Sequence, residues 1–454
     1  MNKISCIIVA VLAIISFFPQ VNASNYSDEE LVFVRDIINY AKRNSAKTDI
    51  KDEDITAGLL KGGLDKIDSH STYYTKDEYL KLTESLSGSF SGIGVYIDSH
   101  QGIIRVIGVI KGMPAEKAGL KNGDYITHVN SQSTFGMSLD EVSSKLKGKR
   151  GTKVKVDIFR KDAEKPLEFE IMRDNIEVET VSSQKIDDIL VVSISTFNEK
   201  TFDDLLKVLQ KNQSYSGIVL DLRANPGGIL ESAIAISSLF VKKNDIIVQV
   251  STMEQAKSVD ERSCIASKKN CRNVRYSSLN GKVAIYNDDK PLISPQIPVA
   301  ILVNSYSASA SEVTALALQD NSRGMVIGQK TFGKGSVQTV SPLKNGEKGA
   351  LKLTTALYYS PKGHSIQAQG VKPDVIIPEL EVKKQEKRKD FFPSNEAVYK
   401  NHIKLDKQST KVEEGTEENA EKSLEVEPNA IEDFAIQAAV SSIKTSIKHN
   451  GNNN

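Results

Sequence analysis

The apolar positions along the chain change rhythm several times, and each change marks a unit. Through residues 27–85 they recur at helical spacing, at Leu31, Val34, Ile37 and Ile38 and then at Ile55, Leu59, Leu60 and Leu64, which places each set on one side of a helix. These helices are predicted to pack as a small domain, interrupted from Gly62 to Tyr74 by turn-forming Asp, Ser and His. From Ser89 short β-branched runs take over, at Gly94 to Ile97, Ile103 to Ile110 and Val154 to Phe159. One helical stretch, led by Ser138 and carrying Leu139, Val142 and Leu146, interrupts them, so a small sheet with a lateral helix is predicted.

From about residue 180 to 375 strand and helix alternate, the mark of a layered α/β core. Ile218 to Leu222, Val299 to Val303 and Met325 to Gly328 read as buried strands, with helices through Phe240 after the first and from about Ser307 to Gln319 after the second. Residues 250–296 are polar and are predicted to be an irregular excursion from this core. Beyond Pro378 a basic run gives way to an acidic one, which is linker chemistry. An amphipathic helix from Ile431 to Ile447 is then predicted to dock back on the body. The units are therefore 1–23, 24–88, 89–174, 175–378, 379–428 and 429–454, and the fold class is multidomain, α/β with α+β.

Composition narrows the function. In 454 residues, 39% are apolar and only 13 are proline, so a sizeable core is available. Lys and Arg total 59 against 58 Asp and Glu, a formal charge of +1, which disfavours nucleic acid as the main partner. Lys3, the apolar run Ile4 to Phe18 and the small-residue exit Val21-Asn22-Ala23 form a secretory signal pattern. The run is short for a hydrocarbon core roughly 30 Å thick, so cleavage near Ser24 and a periplasmic or other extracytoplasmic location are expected; a retained signal would leave the protein membrane-associated. Of three cysteines, Cys6 leaves with the signal, and Cys264 and Cys271 remain as a candidate disulfide in a compartment that permits one, with two free thiols as the alternative. No metal site or cofactor is implied.

Two regions carry chemistry. In Ser91-Gly92-Ile93-Gly94-Val95, two glycines precede a strand, where consecutive N–H groups can turn toward one anion such as a terminal carboxylate. The strand could accept a peptide as an added strand, with Leu139, Val142 and Leu146 lining the groove. The second region, Asn304 to Glu312, sets small residues between a buried strand and an apolar helix. A serine at that helix start meets the positive end of the dipole and unpaired N–H groups able to face an oxyanion. It also needs a base. Among six histidines only His364 lies within the α/β core, and no carboxylate in sequence obviously orients it, so a Ser-His-Asp triad is the weaker reading. Lys334, flanked by Gly333 and Gly335 directly after the third strand, is the better base. Its pKa would have to fall from about 10.4 to about 7 or 8, which burial can achieve. Gln338 could hold the amine; Glu312 and Asp320 read as helix-end or packing residues.

The segment from SGIGV (91–95) through Gly112-Met113-Pro114-Ala115, Ala118-Gly119-Leu120 and Gly123-Asp124 resembles a PDZ domain. With LDKIDSH (64–70), SFSGIGV (89–95), LDLRANPGG (220–228), SASASE (307–312) and TFGKGSVQ (331–338) in that order, the chain from about 30 to 375 resembles the carboxyl-terminal processing peptidases, or tail-specific proteases. The resemblance implies a crotonase/ClpP-like protease core with a PDZ-like insert, an N-terminal helical segment and a C-terminal helix. It implies a serine endopeptidase with Ser309 as nucleophile, Lys334 as general base and Gln338 as third member. The backbone N–H groups of Gly228 and Ala310 would form the oxyanion hole, and Arg173 would couple the PDZ-like module to the active site. Substrates would be proteins with apolar C-terminal tails, bound at Gly92, Ile93, Gly94 and Val95; membrane proximity and a homo-oligomer remain open. A non-catalytic PDZ scaffold or chaperone, and a carrier of small apolar ligands on the same fold, are the rival readings.

Overall fold

A computed structural model describes residues 27–46, 49–100, 103–161, 163, 165–252, 263–265, 271–377 and 428–451. The signal pattern and nearly all of the charged linker therefore lie outside the described residues. The N-terminal segment forms α1 (Asp28–Asn44), α2 (Asp52–Asp65), the strand β1 (Thr72–Tyr74) and α3 (Lys76–Ser87). Ser27 with Glu30, and Thr75 with Glu78, close reciprocal capping boxes that start α1 and α3. The periodicity located these helices, but the expected packed helical domain is not formed. No residue of α1 is buried and Leu31 is 57% exposed, while α2 buries only Ala57. An amphipathic stripe requires a partner surface: in α3 the Tyr79 ring lies beside Gly346 and the Leu86 carbonyl accepts the Glu199 amide, and the β1 end pairs with Ala350 to Lys352.

That end is held by Asp68. Its carboxylate accepts the amides of His70 and Ser71 and the hydroxyls of Ser71 and Thr354, while the Thr354 amide donates to Ser71 Oγ at 3.1 Å. Burial pushes this carboxyl up, but the combined donors outweigh burial and hold it below the usual range.

The PDZ-like unit follows. Strands β2 (Ser89–Gly92), β3 (Val95–His100), β4 (Ile103–Val109), β5 (Tyr125–Val129), β6 (Gln132–Ser133), β7 (Lys153–Phe159), β8 (Leu167–Met172) and β9 (Asp174–Glu177) alternate with the short helix α4 (Pro114–Ala118) and α5 (Leu139–Leu146). The sheet runs β3-β4-β5-β7-β8, with β6 on β5. One side chain in two of β4 and β7 points inward, so that Ile104, Val106, Val154, Val156 and Ile158 form its core. Strands β2 and β9 pair with each other, joining the two connections between this unit and the rest of the chain.

In the remaining core, β10 (Val181–Ile186) and β11 (Ile189–Ile194) form a hairpin, followed by α6 (Thr201–Lys211), β12 (Gly217–Asp221) and α7 (Leu230–Ser238). Strands β13 (Ile246–Thr252), β14 (Ser263–Ile265), β15 (Arg272–Leu279) and β16 (Lys282–Asn287) come next. Then come β17 (Val299–Val303), α8 (Ala310–Asp320), β18 (Met325–Gly328), β19 (Ser336–Pro342), β20 (Ala350–Tyr359), β21 (Val375–Ile376) and α9 (Pro428–Gly451). The six-stranded sheet has the order β10-β11-β12-β17-β18-β21, parallel from β11 onward. Both faces are buried, which is why its strands read as unbroken apolar runs. Period two divides them: Leu190, Ile218, Leu220 and Ile301 face α7 and α8, whereas Val191, Val219, Ala300, Leu302 and Ile327 face α9.

The second sheet, β1-β20-β13-β16-β15-β14 with β19 on β20, corrects the reading of 250–296 as irregular. Residues 272–287 form a regular antiparallel hairpin, Val274 opposite Asn287 through Leu279 opposite Lys282. An antiparallel strand partly open to water alternates polar with apolar side chains and lacks the signature of a buried strand. Cys271, at the start of β15, is disulfide-bonded; the Cys264 side chain lies outside the described residues.

Helix α9 does dock, through Ile436, Ala439, Val440 and Ile443. Gly217 leaves room for it: a Cβ there would lie 2.3 Å from Ile443 Cγ2. Ile443→Ala should therefore destabilise the protein by about 2–5 kcal/mol, measured as a lower midpoint in urea unfolding.

Candidate active site

The three loops that leave the carboxyl ends of the adjacent parallel strands β12, β17 and β18 carry LDLRANPGG, SASASE and TFGKG. That edge is where open α/β sheets place their ligand sites. Strand order therefore brings together segments that lie far apart in sequence.

Asn225 joins the first two loops. It is fully buried, its Nδ2 donates to the Ile194 carbonyl at 2.8 Å, and its Oδ1 accepts the Gly227 amide at 2.9 Å. Its own carbonyl accepts the Ala308 amide and the Ser311 hydroxyl. Gly227 consequently packs against the serine loop; a Cβ on it would lie 2.6 Å from the Ala308 carbonyl oxygen and 2.9 Å from Ser309 Cβ. Gly228 is bridged to Phe197 through the carbonyl of Gly227 and the amide of Ile229, so its own N–H takes no part in that ladder. Ala310 is the first residue of α8, a position whose N–H has no acceptor within the helix. The two predicted oxyanion donors thus sit on loops in direct contact.

Ser309 precedes α8 with φ 55° and ψ −114° and is 7% exposed. A positive φ is uncommon for a residue with a Cβ and stores strain that the surroundings must hold. Glu312 supplies much of the hold. Its Oε2 accepts the Ser309 amide at 2.8 Å and the Lys334 amide at 2.9 Å, and its Oε1 accepts the Gly333 amide at 2.8 Å and the Thr331 hydroxyl. The backbones of Ser309 and Lys334 are therefore tied to one oxygen atom. Beyond the lysine, the Gly335 amide donates to Gln367 Oε1, and the Ala368 amide donates to the Gly333 carbonyl. The lysine loop is fixed from both sides, and Lys334 is half-buried. Tyr358 on β20 is buried, and burial pushes its phenol up.

Gln338, on β19, donates to Ser336 Oγ at 2.8 Å and to Thr354 Oγ1 at 3.5 Å. Since Thr354 also donates to Asp68, the LDKIDSH motif reaches the site's periphery through this chain. His364 is exposed in the turn after β20.

The PDZ-like module is arranged differently from part of the expectation. Gly92, Ile93 and Gly94 are buried and Val95 opens β3, an edge strand whose outer side is available for strand addition. Of the predicted groove residues only Leu139 is exposed; Val142 and Leu146 belong to the module's core, because their face of α5 is needed to cover the sheet. Arg173 donates to the carbonyls of Lys145 and Leu146 at the C-terminal end of α5, and to Thr152 Oγ1 and the Lys153 carbonyl. It thus satisfies orphan helix carbonyls inside the module, and burial pushes its pKa down.

Burial pushes the Glu312 carboxyl up to about 7, and the four donors only partly offset it. The unfolded state loses this proton near 4.5, so the folded state holds it more tightly between the two values. Stability from this group is thus complete below pH 4.5 and is lost as pH rises through 7, by on the order of 3 kcal/mol. Urea unfolding at successive pH values should show wild-type stability falling over this window relative to Glu312→Gln, which has no proton to lose.

The profile of peptidase family S41 matches residues 188–377, and that of the PDZ domain residues 105–160. The carboxy-terminal-processing protease of Bartonella bacilliformis is 35% identical over 367 residues, covering 79% of this chain and 77% of its own length. The carboxy-terminal processing protease CtpA of Bacillus subtilis is 35% identical over 333 residues, covering 72% of this chain and 65% of its own. Among solved structures, a photosystem II D1 C-terminal processing protease is 27% identical, covers 75% of this chain and 86% of its own, and has a TM-score of 0.39. The chain belongs to the carboxy-terminal-processing proteases of peptidase family S41, serine-type peptidases carrying a PDZ domain.

Proposed function

We propose that this protein is an exported endopeptidase in which Ser309 is the nucleophile and Lys334 the general base, with substrate tails delivered by the PDZ domain. The observation that carries the reading is the shared Glu312 oxygen, which holds the backbones of Ser309 and Lys334 at one point of the sheet edge. A serine hydroxyl becomes a nucleophile only when a base takes its proton. A half-buried lysine whose backbone is pinned beside the serine loop fits that role better than exposed His364.

The substrate's tail adds as a strand along β3, its carboxylate meeting the Gly92–Gly94 turn, and apolar tails are the class expected to bind. The chain upstream of the tail reaches the sheet edge, Ser309 attacks the scissile carbonyl, and the amides of Gly228 and Ala310 receive the oxyanion. Lys334 then gives its proton to the departing amine, and water hydrolyses the acyl-enzyme. Gln338 acts through the β19–β20 pair rather than as a proton carrier. Export rests on the pattern of residues 1–23, and the exposed apolar side chains of α1, among them Phe33 and Tyr40, are the surface on which a second copy would pack.

Incubation with a protein ending in an apolar tail tests this directly. Ser309→Ala and Lys334→Ala should each lower kcat by at least about 1,000-fold, and amidating the tail's carboxylate should raise KM. Cleavage that persists in Ser309→Ala would refute the nucleophile. With a lysine base the rate should climb with pH and level off on the alkaline side, whereas a profile set by one group near the ordinary histidine range would transfer the role to His364.

A further inference from the structure

The glycine turn of the PDZ domain has donors to spare and a cation at its side. Ile93 and Gly94 are buried, and their carbonyls accept the amides of Ala115 and Ile110, but among the described residues neither of their own amides has an acceptor. Buried amides are rarely left so, and these two are open to a ligand. The C-terminal end of α5 closes on the turn: the Gly148 amide donates to the Ser91 carbonyl at 3.1 Å, and Arg173 takes the carbonyls of Lys145 and Leu146. Lys147 therefore lies across Gly92. Its Cγ is 3.8 Å from where a Cβ on that glycine would sit, and its Nζ is 4.5 Å from the centre of the Phe90 ring. An aromatic face holds an ammonium without neutralising it. No carboxylate among the described residues pairs with Lys147. Asp174, opposite Gly92 in the β2–β9 ladder, is taken by Arg150 at 2.6 Å.

We propose that Lys147 is a further substrate-binding residue, the cationic partner of the terminal carboxylate that the Ile93 and Gly94 amides receive. This rests on the PDZ domain being the module that takes the substrate's tail. Beyond Cγ the side chain is long enough to swing its ammonium from the Phe90 ring to the mouth of the turn. Two amides and an ammonium then satisfy a carboxylate in both charge and donors. A C-terminal amide brings no charge, and its N–H groups would meet donors rather than acceptors. Arg173 does not compete for this role, because its guanidinium is engaged inside the module, where it offsets the negative pole of α5 that would otherwise oppose an incoming anion.

The test is peptide binding to the whole chain carrying Ser309→Ala, a background chosen to keep the peptide intact. One apolar peptide without acidic side chains is used with either a free or an amidated C-terminus, so that only the terminal carboxylate differs. The parent should bind the free form more tightly. Adding Lys147→Met, which keeps the apolar stem and removes the charge, should cut that preference by roughly 5- to 20-fold, whereas Lys147→Arg should retain most of it. Lys147→Gln makes the same comparison if the methionine variant does not fold. A preference in the uncharged variant within about twofold of the parent's overturns the inference while leaving the tail-binding reading intact. A parent that binds the two peptides equally overturns both.

Discussion

A single buried carboxyl holds this site together. Glu312 projects from the first turn of α8 and receives donors from its own helix start and from the loop after β18. Without it, the amides of Ser309, Gly333 and Lys334 would be left in an apolar interior without their partner, each at a cost of about 1–3 kcal/mol. The same burial that makes the hydrogen bonds strong makes the charge expensive, so its ionisation and the geometry of the site are linked.

The fold brings that carboxyl within reach of both loops. Parallel strands β12, β17 and β18 end on the same edge, so residues more than a hundred positions apart become neighbours without any long loop having to cross the sheet. Asn225 fastens the glycine loop to the serine loop on one side. On the other, Gln367 and β20 fasten the lysine loop. The N-terminal segment adds to this second side through β1, which pairs with β20, and through Asp68 and Ser71, which bond Thr354.

Much of this was legible in the sequence. Buried parallel strands give continuous apolar runs, and Val299 to Val303 and Met325 to Gly328 were located to the residue. The serine and lysine segments stood out because small residues and glycines crowd around a reactive side chain. Glu312 did not, because a glutamate three residues into a helix looks the same whether it caps only its own helix or also binds a distant loop. The hairpin at 272–287 was missed because a half-wet strand imitates a loop in composition. On α5 the helical stripe was correct, but periodicity does not distinguish a face that covers a sheet from one that lines a groove.

The backbone at Ser309 sets function against stability. At φ 55° an L side chain is strained, and a glycine there would be at ease. A mutation to glycine would relieve that tension and also delete the hydroxyl that we propose as the nucleophile. Keeping a serine there obliges the surrounding carboxyl and amides to restrain it continuously, and random drift toward a more relaxed main chain at this point would be drift away from the proposed nucleophile.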